Sequence, residues 1–135
     1  MTLTSVITVA YNRSAMLREA LAAVRAQTRG NWEHLVVDAG SEDPAVGEVI
    51  REAAAVDLRV RAFRTPPPNG DRPARYWNML LDRARGDYVT FLDDDNEKSP
   101  LFLEVMASYL DEHPDVDAVT CGFVAVEEGR PPEEN

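Results

Sequence analysis

The chain alternates short apolar runs with segments of helical periodicity, and this alternation constrains its fold more than any other feature. The apolar runs are rich in β-branched residues and predict strands over residues 6–10, 34–38, 59–63, 87–92 and 116–126. Between them, apolar residues recur at the spacing of one helix face. Strands this apolar need cover on both faces. The order therefore predicts an α/β fold, with a mainly parallel sheet and helices on both faces.

Capping residues indicate where the helices between these strands begin. Ser14 is predicted to cap the first helix. Asp43 and Pro44 predict the start of the second, as its cap and first helical residue. A third helix is predicted over residues 74–85, after a proline-rich loop. The fourth is predicted to begin near Ser99, with an apolar face formed by Leu101, Val105, Met106 and Tyr109.

Length and charge limit the classes of partner. The 135 residues fit one domain, predicted over residues 1–126, with an acidic, proline-rich tail at 127–135. The formal net charge of −10 repels phosphate backbones, so no nucleic-acid partner is expected. No apolar run reaches the ~18 residues of a membrane span, so a soluble, cytoplasmic chain is predicted. The single cysteine, Cys121, excludes an internal disulfide framework and is expected to be a buried, inert thiol.

Polar side chains follow three predicted strands where each strand ends. The turn at residues 11–13 follows the first strand, residues 38–41 lie at the end of the second, and residues 93–95 follow the fourth. In open parallel sheets, ligands bind outside the carboxyl ends of the strands. We therefore expect these three segments to converge on one site. The chain has neither GxGxxG after its first strand nor a GxxxxGK[ST] loop, which excludes two common nucleotide-binding designs.

The three adjacent carboxylates Asp93, Asp94 and Asp95 are the strongest chemical signal in the chain. They repel one another unless a cation lies between them. Mg²⁺ and Mn²⁺ prefer oxygen ligands and keep coordination positions for substrate phosphates. This favours a divalent-metal site, and a solvated acidic turn is the alternative. Asp38 suits a ribose hydroxyl or a base N–H, or serves only its turn.

Other side chains lie in sequence contexts that are less specific for a function. Arg72 and Arg75 lie around the proline-rich loop, where a guanidinium could match a diphosphate or simply be solvated. Tyr11 could stack on a base or pack at the end of its strand. His34 and His113 lack metal-ligand spacing and are expected to be structural.

Four segments of the sequence, in order, resemble family 2 glycosyltransferases. They are SVITVAYNR at residues 5–13, AQT at 26–28, VVDAGSED at 36–43, in which Ala39 replaces the family's second Asp, and RGDYVTFLDDDN at 85–96. Within that family, the last segment is most similar to the spore-coat polysaccharide synthesis branch. The resemblance implies the Rossmann-like GT-A fold of nucleotide-diphospho-sugar transferases.

The resemblance also implies roles for individual residues. The expected base and phosphate contacts are Thr8, Ala10, Tyr11, Asp38, Arg72 and Arg75. Asp94 is expected to face the ribose and Asp95 to ligate Mn²⁺ or Mg²⁺. Asp93 belongs to the same motif without a defined task.

The implied activity is transfer of a sugar from a nucleoside diphosphate sugar, with UDP- or dTDP-sugar most expected, to an acceptor hydroxyl. In the family, the catalytic general base and the acceptor site lie in the carboxyl-terminal half, expected here beyond Asn135. The alternative function is a non-catalytic module that only binds the nucleotide or the nucleotide sugar. An open sheet edge would also favour a homo-oligomer.

Overall fold

The structure, a computed structural model, describes residues 1–67, 73–125 and 133–134. Its main sheet has four parallel strands, β1 (Thr4–Ala10), β2 (Trp32–Asp38), β3 (Val60–Arg64) and β4 (Tyr88–Phe91), in the order β3-β2-β1-β4. The chain winds outward from β1 through β2 to β3, then returns to the other side of β1 with β4. The strand order therefore reverses between β1 and β4, where ligands bind in folds of this kind.

Four helices cover both faces of the sheet. They are α1 (Ser14–Arg25), α2 (Pro44–Val56), α3 (Pro73–Leu81) and α4 (Phe102–Glu112). Helices α1 and α2 share a buried cluster with β1 and β2, and Leu103 of α4 joins a second cluster with α1. Helix α3 packs on the opposite face through Tyr76 and Leu80, against Ile7 and Leu35. The predicted α/β fold with a parallel sheet between helices is confirmed.

No helix in the described ranges is long and apolar enough to cross a membrane.

The helix starts agree with the sequence in one case and differ in another. Asp43 caps α2, because its side chain accepts from the Ala45 N–H at 2.9 Å and Pro44 is the first helical residue. The prediction that Ser14 caps α1 is wrong. Ser14 is already helical, and Arg13 precedes it without a side-chain cap. The Arg13 carbonyl accepts the first helical bond from Leu17 at 2.9 Å.

The predicted buried face of α4 is also wrong. Leu103 and Ala107 are buried, whereas Leu101, Val105 and Tyr109 are exposed. The Gln27 side chain accepts from the Leu103 N–H at 3.0 Å and donates to the Ser99 carbonyl at 2.7 Å. These two bonds fasten the start of α4 to the end of α1 and thereby help set which face points inward. Helix α3 ends at Leu81, earlier than the predicted 85.

The predicted fifth strand of the main sheet is wrong. Residues 116–123 form no strand, and β5 (Val124–Ala125) pairs antiparallel with β6 (Glu133–Glu134) in a separate two-stranded sheet. An apolar run becomes a strand only where another strand completes its backbone hydrogen bonds. In the described part of the chain, nothing pairs with the outer edge of β4. Cys121 is consequently exposed, so the prediction of a buried thiol is wrong.

Two residues with left-handed backbone fasten the loops after β1, β2 and β3 together. Asn12 has φ 55°, a conformation that asparagine tolerates, and its Oδ1 accepts from the N–H groups of Glu42 and Asp43 at 3.0 and 3.2 Å. Gly40 has φ 76°, and a Cβ there would lie 2.3 Å from the Pro67 Cα. These contacts hold the loops after β1, β2 and β3 in fixed positions relative to one another.

Candidate functional site

The candidate site lies where the strand order reverses, between the carboxyl ends of β1 and β4. The Tyr11 N–H, just beyond β1, donates to Asp94 Oδ2 at 3.1 Å. Asp94 follows β4 and is 7% exposed, whereas the Tyr11 side chain is 41% exposed. The main chain after β1 thus holds the acidic turn, and the Tyr11 ring remains open to a ligand.

Burial destabilises the ionised form of Asp94. It raises the pKa of Asp94 above its ordinary value, against the Tyr11 N–H and the Arg13 charge. The neighbouring charges of Asp95 and Asp93 raise it further. A group in this condition gains from a further cation, because an added positive charge stabilises the ionised form.

Arg13 contributes a positive charge beside the acidic turn. Its Nη1 lies 2.7 Å from Asp95 Oδ2 and 3.6 Å from Asp94 Oδ1. One nitrogen therefore contacts carboxylates of both residues. The sequence motifs assign Arg13 no individual role, although a basic residue in a turn expected beside an acidic site is a usable signal.

The same oxygens fit a divalent metal. Asp94 and Asp95 present carboxylate oxygens to a common cation, and hard divalent ions take such ligands. Within residues 1–67 and 73–125, no group of three or more His, Cys, Asp or Glu is arranged to hold a metal alone. A metal at this turn would complete its coordination with water or substrate oxygens. That is how Mg²⁺ commonly sits beside diphosphates.

Asp38 ends β2, the neighbouring strand, and lines a separate small cavity. Its Oδ1 accepts from the Ser41 N–H at 2.9 Å. The cavity of about 190 Å³ is lined by Asp38, Gly47, Ile50, Arg51, Ala62, Phe63 and Arg64. Gly47 keeps this space open, because a Cβ there would lie 3.6 Å from Asp38 Oδ2 and 3.2 Å from Arg51 Nη1. One oxygen of Asp38 therefore shapes its loop, and the other faces the cavity.

Thr8 and Ala10 lie in the core. Both side chains are buried, and Thr8 Oγ1 is hydrogen-bonded to His34 Nε2 at 2.8 Å. Burial lowers the pKa of His34 to about 3, so the ring is neutral. Its structural role is confirmed.

The remaining predicted residues are spread around the site. Asp93 and Asp95 are exposed on the acidic turn, and Arg75 is exposed on α3. Arg72 lies outside the described residues. Lys98, which no sequence motif singles out, follows the acidic turn with its Nζ 3.9 Å from the centre of the Phe102 ring. Burial lowers the pKa of Lys98, against the opposing charges of Cys121 and Asp93.

A parallel α/β sheet with an acidic turn at its switch point defines an open α/β class of protein, whose ligand site lies at the carboxyl ends of the strands. Comparison with known families narrows this class, because the model described as glycosyl transferase family 2 matches residues 5–134. The chain belongs to glycosyl transferase family 2. The family and the GT-A fold expected from the sequence are both confirmed.

Individual relatives agree with this assignment. An uncharacterized protein of Sinorhizobium fredii, y4gI, is 40% identical over 87% of this chain and 13% of its own length. An uncharacterized glycosyltransferase of Haemophilus influenzae is 38% identical over 71% of this chain and 37% of its own. The crystal structure of S. aureus TarS 1-349 in complex with UDP-GlcNAc superposes with a TM-score of 0.70 and 29% identity. That match covers 84% of this chain and 32% of TarS 1-349. The chain thus spans well under half the length of these relatives.

Proposed function

We propose that this chain binds a nucleoside diphosphate sugar together with a divalent metal, as the donor-binding part of a glycosyltransferase. The observation that carries the proposal is the pair Asp94 and Asp95 around one cation position at the switch point, beside Tyr11. Family membership and the likeness to TarS, which was crystallised with UDP-GlcNAc, support a uridine nucleotide as donor. A dTDP-sugar is the next candidate.

The exposure of the acidic turn supports a division of roles. Asp95 is accessible and is the proposed metal ligand. Asp94 is held by the Tyr11 N–H and is proposed to face the ribose. Asp93 supports the turn. The metal, Mn²⁺ or Mg²⁺, would neutralise charge on the diphosphate as the bond to the sugar breaks.

Tyr11 and Asp38 are both proposed as base contacts. The exposed Tyr11 ring would stack on the base, and the Asp38 oxygen that faces the separate cavity would accept from a base N–H. Thr8 and Ala10 remain proposed base contacts, and such contacts would use main-chain atoms because their side chains are buried. Arg75, and Arg72 outside the described residues, are proposed to approach the diphosphate or the base.

Sugar transfer itself belongs to this proposal, with an acceptor hydroxyl as nucleophile. A general base must remove the proton of that hydroxyl. None of the proposed donor contacts has this task. The cytoplasmic location and the likeness to the spore-coat branch stay predictions. Self-association also stays a prediction, which light scattering would test.

The metal assignment is tested by titrating UDP into the chain with and without Mn²⁺. Asp95→Ala should lower metal-dependent UDP affinity at least about a hundred-fold, because the metal loses its accessible ligand. Asp115→Ala, which removes an exposed carboxylate from the turn after α4, is the matched control and should bind normally. Asp38→Ala should instead weaken nucleoside binding with or without metal.

The outcomes separate the alternatives. Normal Mn²⁺-dependent UDP binding by Asp95→Ala would refute the metal assignment. Binding by the wild-type chain without any donor hydrolysis or transfer would favour the non-catalytic module. The absence of nucleotide binding by the wild-type chain would refute both functions.

A further inference from the structure

Arg13 lies between the start of α1 and the acidic turn at residues 93–95. Its backbone carbonyl begins the hydrogen bonding of α1 by accepting from Leu17. Its side chain makes no helix cap and turns to the acidic turn instead, where one nitrogen contacts Asp94 and Asp95. The side chain is 51% exposed, so packing does not fix it in place. Arg13 can therefore leave the carboxylates without disturbing the core.

A guanidinium and a metal compete for the same carboxylate lone pairs, because each carboxylate oxygen offers only two. Arg13 Nη1 lies 2.7 Å from Asp95 Oδ2, and a Mg²⁺ held by the same lone pair would need a distance of about 2.1 Å to that oxygen. Two cations so close to one oxygen would repel each other. A metal that takes this lone pair of Asp95 would therefore displace the Arg13 guanidinium.

The displaced guanidinium would find new anionic partners in a bound diphosphate. Arginine matches phosphate oxygens with two parallel N–H bonds, and such charge-assisted bonds are stronger than bonds between neutral groups. The diphosphate would arrive at the metal, next to the carboxylates that Arg13 has just left. A short rotation of the long side chain would then exchange one pair of anions for another.

We propose that Arg13 is an exchangeable counter-ion of the donor site. It neutralises Asp94 and Asp95 before the metal binds, and contacts the diphosphate when metal and nucleotide are both present. This inference rests on the proposed metal and nucleotide function. Arg13 then opposes the binding of the metal alone and favours the binding of the metal together with the nucleotide. The two ligands therefore bind cooperatively.

The test compares the metal-only and nucleotide affinities of four versions of this 135-residue chain: wild type, Arg13→Gln, Arg13→Lys and Arg18→Gln. Arg18→Gln removes the same charge from α1, where Arg18 pairs with Glu52 at the exposed surface. Mn²⁺ affinity without nucleotide is measured from the free-ion signal in electron paramagnetic resonance. UDP affinity is then measured calorimetrically at saturating Mn²⁺, after circular dichroism has confirmed that each chain is folded.

Arg13→Gln should bind Mn²⁺ alone roughly two- to five-fold more tightly than Arg18→Gln, the range that an exposed ion pair allows. It should bind UDP with saturating Mn²⁺ roughly ten-fold or more weakly, since a charge-assisted bond to the diphosphate is lost. Arg13→Lys keeps the charge but not the planar fork. It should therefore hold Mn²⁺ near the wild-type affinity and still bind UDP less tightly.

Failure of this inference can be distinguished from failure of the proposed function. If wild type binds UDP with Mn²⁺ and Asp95→Ala does not, the function stands. In that case, Arg13→Gln affinities equal to those of Arg18→Gln would reduce the Arg13 contact to an ordinary surface ion pair and overturn the inference. Weaker Mn²⁺ binding by Arg13→Gln would also overturn it. If wild type binds neither ligand, both proposals fall.

Discussion

Two clusters of polar groups lie at opposite ends of the same sheet, one around the single carboxylate of Glu33 and one around the acidic turn, and their surroundings differ. At the amino ends of the strands, Glu33 is buried among donors: Ser5 Oγ at 2.7 Å, the Arg85 N–H at 2.6 Å and Arg61 Nη1 at 3.0 Å. Burial alone would raise the pKa of Glu33, but these bonds hold it below its ordinary value. This cluster is complete without any ligand.

The cluster at the carboxyl ends has fewer donors for more carboxylates. Asp94 accepts one backbone N–H, and Arg13 is the guanidinium shared with Asp95. The pKa of Asp94 is accordingly raised. The contrast shows that acidic residues near strand ends serve different purposes. A carboxylate surrounded by donors stabilises the fold, whereas carboxylates with few donors are suited to binding a cation.

The largest effect is expected at the complete cluster. Glu33→Ala should lower the free energy of unfolding by about 3 kcal/mol, because Arg61 and the Arg85 N–H lose a buried partner. UDP affinity of the folded fraction should not change. Urea denaturation and UDP titration measure the two effects. Glu52→Ala, at an exposed pair, is the control and should change stability by under about 1 kcal/mol. A loss of UDP affinity in Glu33→Ala would break the comparison.

Gly40→Ala tests whether the carboxyl end depends on its fastened loops. The added Cβ would meet the Pro67 Cα at 2.3 Å and force an unfavourable left-handed conformation. We expect a loss of about 2–3 kcal/mol in unfolding free energy, and weaker UDP binding because the loops around the site shift.

Gly47→Ala is the matched glycine control. Its Cβ would meet only the end of the flexible Arg51 side chain at 3.2 Å and Asp38 Oδ2 at 3.6 Å. Its stability should fall little or rise slightly, because alanine favours a helix. Equal losses of unfolding free energy in Gly40→Ala and Gly47→Ala would contradict the role given to Gly40.

The smallest effect concerns His34, midway along β2. Its folded pKa of about 3 lies below the ordinary 6.5 because of burial. Below pH 6.5 the unfolded chain binds a proton at this histidine that the folded chain excludes. The free energy of unfolding is therefore unaffected by His34 above pH 6.5 and falls as the pH drops toward 3. Between pH 7 and pH 5 the loss is about 2 kcal/mol.

His34→Gln should remove this pH dependence, and His113→Gln, which alters the other histidine of the chain, should retain it. Denaturation at several pH values provides the measurement. An unchanged slope in His34→Gln would assign the pH dependence to other groups.

The sequence was enough to predict the elements that local patterning controls. The β-branched runs gave strands β1 to β4, and Asp43 with Pro44 gave the start of α2. The strand-end rule also predicted that residues 11–13, 38–41 and 93–95 would meet. The Tyr11–Asp94 bond confirms this for the first and last segments, and the bond from the Asn12 N–H to Ser41 Oγ confirms it for the second. These features follow from neighbouring residues, whose preferences the chain order records.

Other features depended on contacts between distant residues. The run at 116–126 has strand composition, yet residues 116–123 find no partner strand in the described structure. The buried face of α4 depends on Gln27, more than seventy residues from its partners Ser99 and Leu103. Periodicity alone could not identify either outcome, since hydrogen-bond partners far apart in sequence decided both.

The acidic turn shows where the sequence stops being sufficient. Three adjacent aspartates after an apolar strand predict a cation site there. Only the tertiary structure distinguished its members, because the strand order brings Tyr11 and Arg13 beside the turn. The Tyr11 N–H and burial restrain Asp94, while Asp95 stays accessible and shares the Arg13 charge. Sequence fixes which groups exist, and folding decides how much solvent and which charges each one meets.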